Sequence, residues 1–553
     1  MGDRVQPGHS NSIRPNDFDV IVVGAGPVGL TLTIDLGRRG VRCLIMEKEP
    51  STAPWPKMDR SNARTMEIYR RLGLAERVRA LGYPPDNRMD IVLARTLNEP
   101  AVAVQPFPSV NEKREQIAAC TDASLPLEPY QLVSQNTIEP LLRGVAEHET
   151  PNTTVRYGLE LIDFAQDESG VSVVAKAADG SVRRLRCSYL VGSDGGSSTV
   201  RKKLGVKLDG RAALREIRQV ICRSEDMYER MPITKGRHYH FVDNDGGLVV
   251  HGDRKEMSFG TSLPDGTDFE AHIRRLIGFD CDLKVLHVNT WRPHLLVADR
   301  YRVGRVFMAG DAVHLVIPTG GLGMNTGIGD AIGLSWMLAG VVNGWGGPGL
   351  LDGYELERRP VGKRNVEASG WAADGAAFFR QLAESYVDDE AAEGAVSRER
   401  LVNSFIEDHG RMHGMVGVET CYSYAGSPLV AYEPGNRPFW EFSRIEPHGR
   451  PGIRIPHMWL KDGRALQDIL GNEFTLLDLT GDADTESFEA AFRVIGAPLQ
   501  VTRLDEPRLR DVYNGALFLI RPDLHIAWRG DDTPAEADAI VAMATGRGPG
   551  YRP

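Results

Sequence analysis

The chain is short of the features that mark several protein classes. Its 553 residues include only six cysteines, Cys43, Cys120, Cys187, Cys222, Cys281 and Cys421. No two of them form a CxxC pair, which excludes a dithiol redox centre and fits reduced thiols in the cytoplasm. No histidine or cysteine spacing reads as a metal site, so no metal is expected. No apolar run approaches the roughly 20 residues of a membrane-spanning helix. The first stretch, MGDRVQPGHSNSIRPND, has no apolar signal core and reads as a flexible lead-in. Positive charge is in deficit: 65 Lys+Arg against 75 Asp+Glu leave a formal net charge of −10. That balance argues against nucleic acid or an acidic membrane as the main partner. There is no internal repeat and no long low-complexity segment. What remains, 42% hydrophobic and 25% charged residues, is ordinary globular composition with room for three or four domains.

Glycine is plentiful, and three glycine-bearing turns carry the chemistry. Residues 19–23 (DVIVV) read as a buried parallel strand. Gly24, Gly26 and Gly29 follow as GxGxxG, with Pro27 and Val28 opening a helix that runs to Arg39. Gly40 ends it, residues 41–46 read as a second strand, and Glu47 and Lys48 come directly after. This is the βαβ dinucleotide fingerprint, whose glycines permit the tight turn and close pyrophosphate approach while the acid binds ribose hydroxyls. Residues 310–331 (GDAVHLVIPTGGLGMNTGIGDA) follow a strand at 305–309 and lead into an apolar helix at 328–338. Asp311, at the strand's end, can accept a hydrogen bond from a ligand hydroxyl. Pro318, Gly320, Gly321 and Gly323 let backbone approach a flat ligand. Met324 and Asn325 stand where the helix begins, and a helix N-terminus favours negative charge. A ribityl chain joined to an anionic ring, as in reduced flavin, suits such a site. His314, inside this loop, reads as an orienting or capping histidine. In the third turn, residues 189–205 (YLVGSDGGSSTVRKKLG), a strand ends at Asp194-Gly195 and Arg201 lies beyond.

The order and spacing of these turns resemble the class A flavoprotein monooxygenases, the aromatic hydroxylases of the para-hydroxybenzoate hydroxylase type, over nearly the whole chain. The resemblance implies that the first turn holds the ADP half of FAD. The Asp194-Gly195 turn would lie near both FAD and the pyridine nucleotide, and the Gly310-Asp311 turn would hold the ribityl chain and ring. Residues 57–74 (KMDRSNARTMEIYRRLGL) are similar to the family's segment after the ribose-binding acid, except that Lys57 stands where an arginine is common. Lysine keeps the charge and loses the planar guanidinium fork. Gln135 matches a glutamine that the family places near the flavin. Cofactor contacts are therefore expected from Gly24, Gly26, Pro27, Val28, Gly29, Glu47, Lys48, Lys57, Gln135, Asp194, Asp311, Pro318, Gly321, Gly323, Met324 and Asn325.

The expected fold combines α/β and α+β parts. A discontinuous Rossmann-like FAD-binding domain takes residues 16–95, 128–215 and 300–365. An interleaved antiparallel-sheet substrate domain takes 96–127 and 216–299, with strands around 238–241, 247–251 and 257–259 and a turn at 244–247. Residues 366–450 form a helical and irregular connector, helical near 372–397. Residues 451–553 read as a thioredoxin-like domain, with strands at 474–477, 499–504, 516–520 and 525–528 and helices at 486–494 and 534–544. Cys421 is the last cysteine, so that domain has no redox pair. Its segments PGIRIPHMWLKDG and RPDLHIAWRG resemble the phenol and polyketide hydroxylase branch. The domain's expected part is structural, compatible with a homodimer contact.

The family's chemistry implies that NADH or NADPH reduces FAD, that reduced FAD takes up molecular oxygen as a hydroperoxide, and that one oxygen passes to an electron-rich aromatic ring. Loss of a nitro or halogen substituent would use the same flavin chemistry. Baeyer–Villiger insertion or epoxidation of a polyketide-like substrate is the alternative, and a non-catalytic flavin-binding protein the more remote one. A small phenolic substrate reacts faster as phenolate, so a base or donor network is expected near the ring. His238, Tyr239, His240 and His251 are the candidates, with Pro318 packed on the flavin. Strand alternation puts His238 and His240 on one face and Tyr239 on the other.

Overall fold

The computed structural model describes residues 17–242, 246–318, 320–386, 397–435 and 441–548. The lead-in expected at the start, much of the 244–247 turn and the end of the helix expected near 372–397 lie outside these residues.

A twisted sheet organises the cofactor half. Its first strand, Phe18–Val23, is bare of charge after Asp19 and buried towards its end, as a strand covered on both sides must be. It pairs in parallel with Cys43–Glu47 on one side and Val182–Gly192 on the other. Thr153–Tyr157 and Val306–Met308 extend the sheet in parallel at the two flanks. The antiparallel hairpin Leu159–Asp167 and Gly170–Ala177 runs onto the long strand Val182–Gly192. Helix Pro27–Arg38 starts at a proline whose missing N–H costs nothing there, and it packs against helix Leu322–Val342.

The second sheet has seven strands in the order Lys284–Trp291, Ile217–Arg223, Glu256–Thr261, Gly247–Val250, His238–Phe241, Ile91–Ala94, Ala103–Gln105. It is not wholly antiparallel. Ile91–Ala94 runs parallel to His238–Phe241, with Leu93 opposite His240. The boundary drawn at residue 95 therefore separates two strands of one sheet, and the sheet begins by Ile91. The boundary at 365 also falls inside an element, because Leu350–Glu384 is one helix of 35 residues that passes through Pro360. The helix expected at 328–338 starts earlier, at Leu322, which shortens the preceding loop.

The C-terminal unit is a four-stranded sheet ordered Leu499–Arg503, Phe474–Asp478, Leu517–Ile520, Ile526–Gly530. The first pair is parallel and the others antiparallel. Helices Glu486–Ile495 and Ala537–Ala544 complete the thioredoxin-like order, and a further helix, Pro507–Tyr513, was not anticipated. Among the described residues no helix is long and apolar enough to cross a membrane.

Candidate active site

All three glycine-bearing turns stand at the C-terminal ends of neighbouring parallel strands, where ligands bind in open α/β sheets. Gly24 follows Val23 with φ +100°, and a Cβ there would lie 2.4 Å from the Ser193 carbonyl oxygen. A Cβ on Gly29 would lie 2.1 Å from the Gly24 carbonyl oxygen. These two glycines let strand and helix close on each other. Gly26 differs: a Cβ there would meet only Glu139 Oε1, at 4.0 Å. The open space at the helix N-terminus is where a pyrophosphate would lie. Glu47 Oε2 accepts from the Ala25 amide at 2.9 Å and Oε1 from Glu49 at 3.0 Å, which sets the acid beside the turn. Lys48 points to solvent near Glu49. Val28 fills the gap left by Gly310 and Gly327.

Asp194 turns its carboxylate onto the short helix Thr199–Lys203, accepting from Ser198 Oγ at 2.5 Å and the Thr199 amide at 2.7 Å. Arg201 then donates to the Ala312 carbonyl at 2.9 Å and the Gly196 carbonyl at 2.8 Å, tying the middle turn to the third. Asp311 opens to the cleft yet is walled by protein, and this enclosure raises its carboxyl pKa. Such a group gains from a hydroxyl donor. Gln135 Oε1 accepts from the Lys57 amide at 3.3 Å, and its Nε2 donates to Glu139 Oε1 at 2.5 Å. Both residues thus sit at one rim of the cleft.

Helix Leu322–Val342 begins after Gly320 and Gly321, whose φ values are +89° and +64°. Asn325 locks its first turn: Oδ1 accepts from the Asn62 amide at 2.9 Å, and Nδ2 donates to the Arg60 carbonyl at 3.0 Å. Below the loop lies a buried network absent from the sequence reading. His314 Nε2 and Arg358 Nε each meet the Asp330 carboxylate at 2.8 Å, and the Gly310 amide donates to it at 3.1 Å. Burial opposes the Asp330 charge, but Arg358 and His314 outweigh it and hold the carboxyl below its usual range. His314 is therefore an orienting residue, buried completely.

Between Pro318, Gly320 and Gly321 and the second sheet lies a cavity lined by Asp59, Arg60, Phe107, Tyr130, Arg237, His238 and His413, with Met89, Ile91, Leu132 and Met412 as apolar wall. The Arg60 guanidinium sits 4.6 Å over the Tyr130 ring and bonds Glu419 at 2.7 Å. Arg237 pairs with Asp59 and donates to His238 Nε2 at 2.7 Å. Burial, then the Arg237 charge, hold the His238 pKa well below 6.5, so the imidazole is neutral.

The structure sorts the four ring candidates. His238 and His240 do share a strand face, their rings stacked at 6.3 Å and 7°. His238 and Pro318 line the cavity, and His240 lies behind His238. Tyr239 does not reach the cavity. It points into the opposite core, fully buried, with its hydroxyl bonded to Gly236. Nor is His251 a cavity residue: it bridges Ser134 Oγ at 2.5 Å and Ser258 Oγ at 2.8 Å, fastening a strand to the start of the Gln135 helix. Alternation alone excludes Tyr239, since its neighbour His238 faces the pocket. Asp59, Arg60, Tyr130, Arg237 and His413 went unsuspected, and no local pattern marks them except the Asp59-Arg60 pair within the 57–74 segment. The expectation that no histidine spacing suits a metal also needs correcting. HxH at 238–240 and HxxxH at 409–413 are both such spacings, and the fold brings His240, His409 and His413 together.

Comparison with known proteins agrees with the cleft. Residues 17–369 match the FAD binding domain family, and residues 448–548 match the aromatic-ring hydroxylase C-terminal family. The chain is 32% identical to the FAD-dependent monooxygenase apdD of Emericella nidulans, over 96% of this chain and 90% of that protein. It is 30% identical to the 4-methyl-5-nitrocatechol 5-monooxygenase of a Burkholderia species, over 95% and 97%. The solved structure of RebC soaked with chromopyrrolic acid and holding 7-carboxy-K252c superposes with a TM-score of 0.85 at 30% identity, covering 96% of this chain and 99% of that one. FAD fits the residues present: the open N-terminus at Gly26, the Glu47 carboxylate beside it, and the Asp311 carboxyl that opens to the cleft all suit its parts. The chain belongs to the FAD-dependent aromatic-ring hydroxylases, the class A flavin monooxygenases.

Proposed function

We propose that this monooxygenase hydroxylates a phenolic ring held between Pro318, Gly320 and Gly321 and the sheet face bearing His238, using NADH or NADPH as reductant. The observation that carries the reading is the cavity's mixed wall. Tyr130 and Phe107 offer aromatic surface, while Arg60 and Arg237 supply two cations beside a neutral imidazole. Cations next to a phenol favour its phenolate, the more electron-rich form. Neutral His238 can hydrogen-bond the phenol oxygen without itself taking up the proton, and the Arg237–Asp59 pair holds that ring in place. When bound, FAD supplies the activated oxygen. The chain's part is to orient the ring, exclude water and stabilise charge on the isoalloxazine through the helix starting at Leu322.

A nitro- or halogen-bearing phenol fits the same wall, and the kinship with a nitrocatechol monooxygenase puts expulsion of such a group among the outcomes to be read. Six unpaired cysteines support a reducing, cytoplasmic setting. The test is a panel of phenols, catechols and nitrocatechols given to the FAD-loaded enzyme with NADH or NADPH, following oxygen uptake, product and released nitrite. One hydroxylated product per oxygen consumed is expected for at least one phenol, with Arg237→Met losing rate most steeply below the phenol's own pKa. Equal, substrate-independent oxygen consumption across all phenols would overturn the reading.

A further inference from the structure

Three histidines that the proposed reaction does not use converge behind the substrate cavity. His240 comes from the strand His238–Phe241, while His409 and His413 come from the turn His409–Met412 and the residue after it. One ligand nitrogen from each lies within 4.8 Å of the other two. His240 Nε2, His409 Nδ1 and His413 Nε2 are all buried without a hydrogen-bond partner. Buried imidazole nitrogens are ordinarily satisfied, so three neighbouring rings, each with an unpartnered nitrogen, call for something between them.

The surroundings hold the rings rather than satisfy them. His240 meets His409 edge-to-face, centroids 4.1 Å apart at 73°. Phe405 stacks on His409 at 5.2 Å and 21°, and Phe379 meets both rings, edge-on to His409 at 5.2 Å. Burial keeps all three imidazoles neutral, the state in which nitrogen lone pairs bind a cation. The charged groups around them are Arg60, Arg237 and Arg380. No carboxylate joins the cluster, so a hard, oxygen-seeking ion such as Mg²⁺ or Ca²⁺ is disfavoured. Metals that prefer imidazole, Zn²⁺ foremost, remain. Zinc–nitrogen bonds of about 2.0–2.1 Å place tetrahedral ligands roughly 3.4 Å apart. Small ring rotations close the triangle to that size.

We propose that His240, His409 and His413 form a three-imidazole site for a divalent transition metal of the zinc class, open on its fourth side towards the substrate cavity. His413 belongs to both the cluster and the cavity wall. Water fills the fourth position, or an oxygen from a bound ligand replaces it. The site is independent of which ring is oxidised.

The test uses the FAD-loaded full chain without a polyhistidine tag, stripped with chelator and then titrated with Zn²⁺. Expected are one tightly held Zn²⁺ per chain by elemental analysis after desalting, and an X-ray absorption spectrum with imidazole scattering at about 2.0–2.1 Å. His240→Gln, His409→Asn and His413→Asn, each checked for retained FAD and secondary structure, should each weaken retention at least 100-fold. His148→Asn, at an exposed histidine, should leave it unchanged. Where one variant fails to fold, the other two carry the test. Zinc lost on desalting, or retention equal in the wild type and all folded cluster variants, would overturn the proposal and identify the orphans as enclosing water only. Because the readout is metal bound, not turnover, failure here is separate from failure of the hydroxylase reading.

Discussion

The glycines of the first turn make a prediction that separates folding from cofactor binding. In Gly29→Ala the new Cβ would lie 2.1 Å from a backbone oxygen and 2.5 Å from Ser193 Oγ. Carbon–oxygen contact needs more than 3 Å, so helix Pro27–Arg38 must move off its strand by about 1 Å. Overpacking of that kind costs about 1–3 kcal/mol, and both the empty and the loaded protein should melt lower. Gly26→Ala meets nothing nearer than 4.0 Å, and Gly26 has φ −74°, open to any residue. The empty protein should therefore melt within a degree or two of wild type. Its Cβ occupies the space a pyrophosphate needs, so the loss should fall on binding. At FAD one hundred times its Kd, wild type gains about 2.7 kcal/mol from the ligand. A hundredfold weaker Kd cuts that gain to about 0.4 kcal/mol. Differential scanning calorimetry with and without FAD, joined to flavin-fluorescence titration, reads both terms. Wild-type FAD affinity in Gly26→Ala would refute the placement of the pyrophosphate at this turn, and an unshifted melt in Gly29→Ala would refute the packing argument.

Other expectations follow from the same geometry. Asp311→Ala should weaken FAD retention by about 10- to 100-fold, the worth of a hydrogen bond to a charged group, while the empty protein stays folded; unchanged flavin content would sink the ribityl assignment. Arg521→Met strips the buried Glu357 of bonds at 2.5 and 2.7 Å, and should cost about 3–5 kcal/mol, seen as a lowered melting temperature. Burial lowers the pKa of His251 and His525 from 6.5 to about 4, and of His457 to about 3. The unfolded chain takes up these protons below pH 6.5 and the folded chain does not. Stability is thus complete above pH 6.5 and falls towards pH 4, by up to about 1.4 kcal/mol per pH unit for each imidazole. Denaturant melts at pH 7 and pH 5 should differ accordingly, and less so in His251→Asn.

The cofactor turns were legible because each is written in adjacent residues: an apolar strand, a glycine or acid at its end, a helix start. The cavity was not, since Asp59, Tyr130, Arg237 and His413 come from segments far apart and meet only after folding. Strand periodicity put His238 and His240 on one face, and it equally required Tyr239 to face away. It carried no information that a parallel strand, Ile91–Ala94, would pair beside them. The buried ions were hidden for a related reason. Asp330 and Arg358 each look like a surface residue of a helix until the partner, 28 residues on, neutralises it.

The Glu357–Arg521 pair has a consequence for how such proteins can be recombined. Glu357 is the neighbour of Arg358, which steadies Asp330 beneath the loop. Arg521 arrives from the C-terminal unit, where Asp523 also holds it at 2.7 Å. Arg64 of the cofactor half donates to the Asp523 carbonyl at 2.8 Å, and Arg454 meets Glu67 at 3.1 Å. These charges are buried, and two of the pairs, Glu357–Arg521 and Glu67–Arg454, have their counter-ions across the seam. The C-terminal unit is thus a modular stretch of sequence without being a modular piece of energy. A chimera joined near residue 448 inherits one member of each pair from each parent, and it folds only if both parents kept the same charges at the seam.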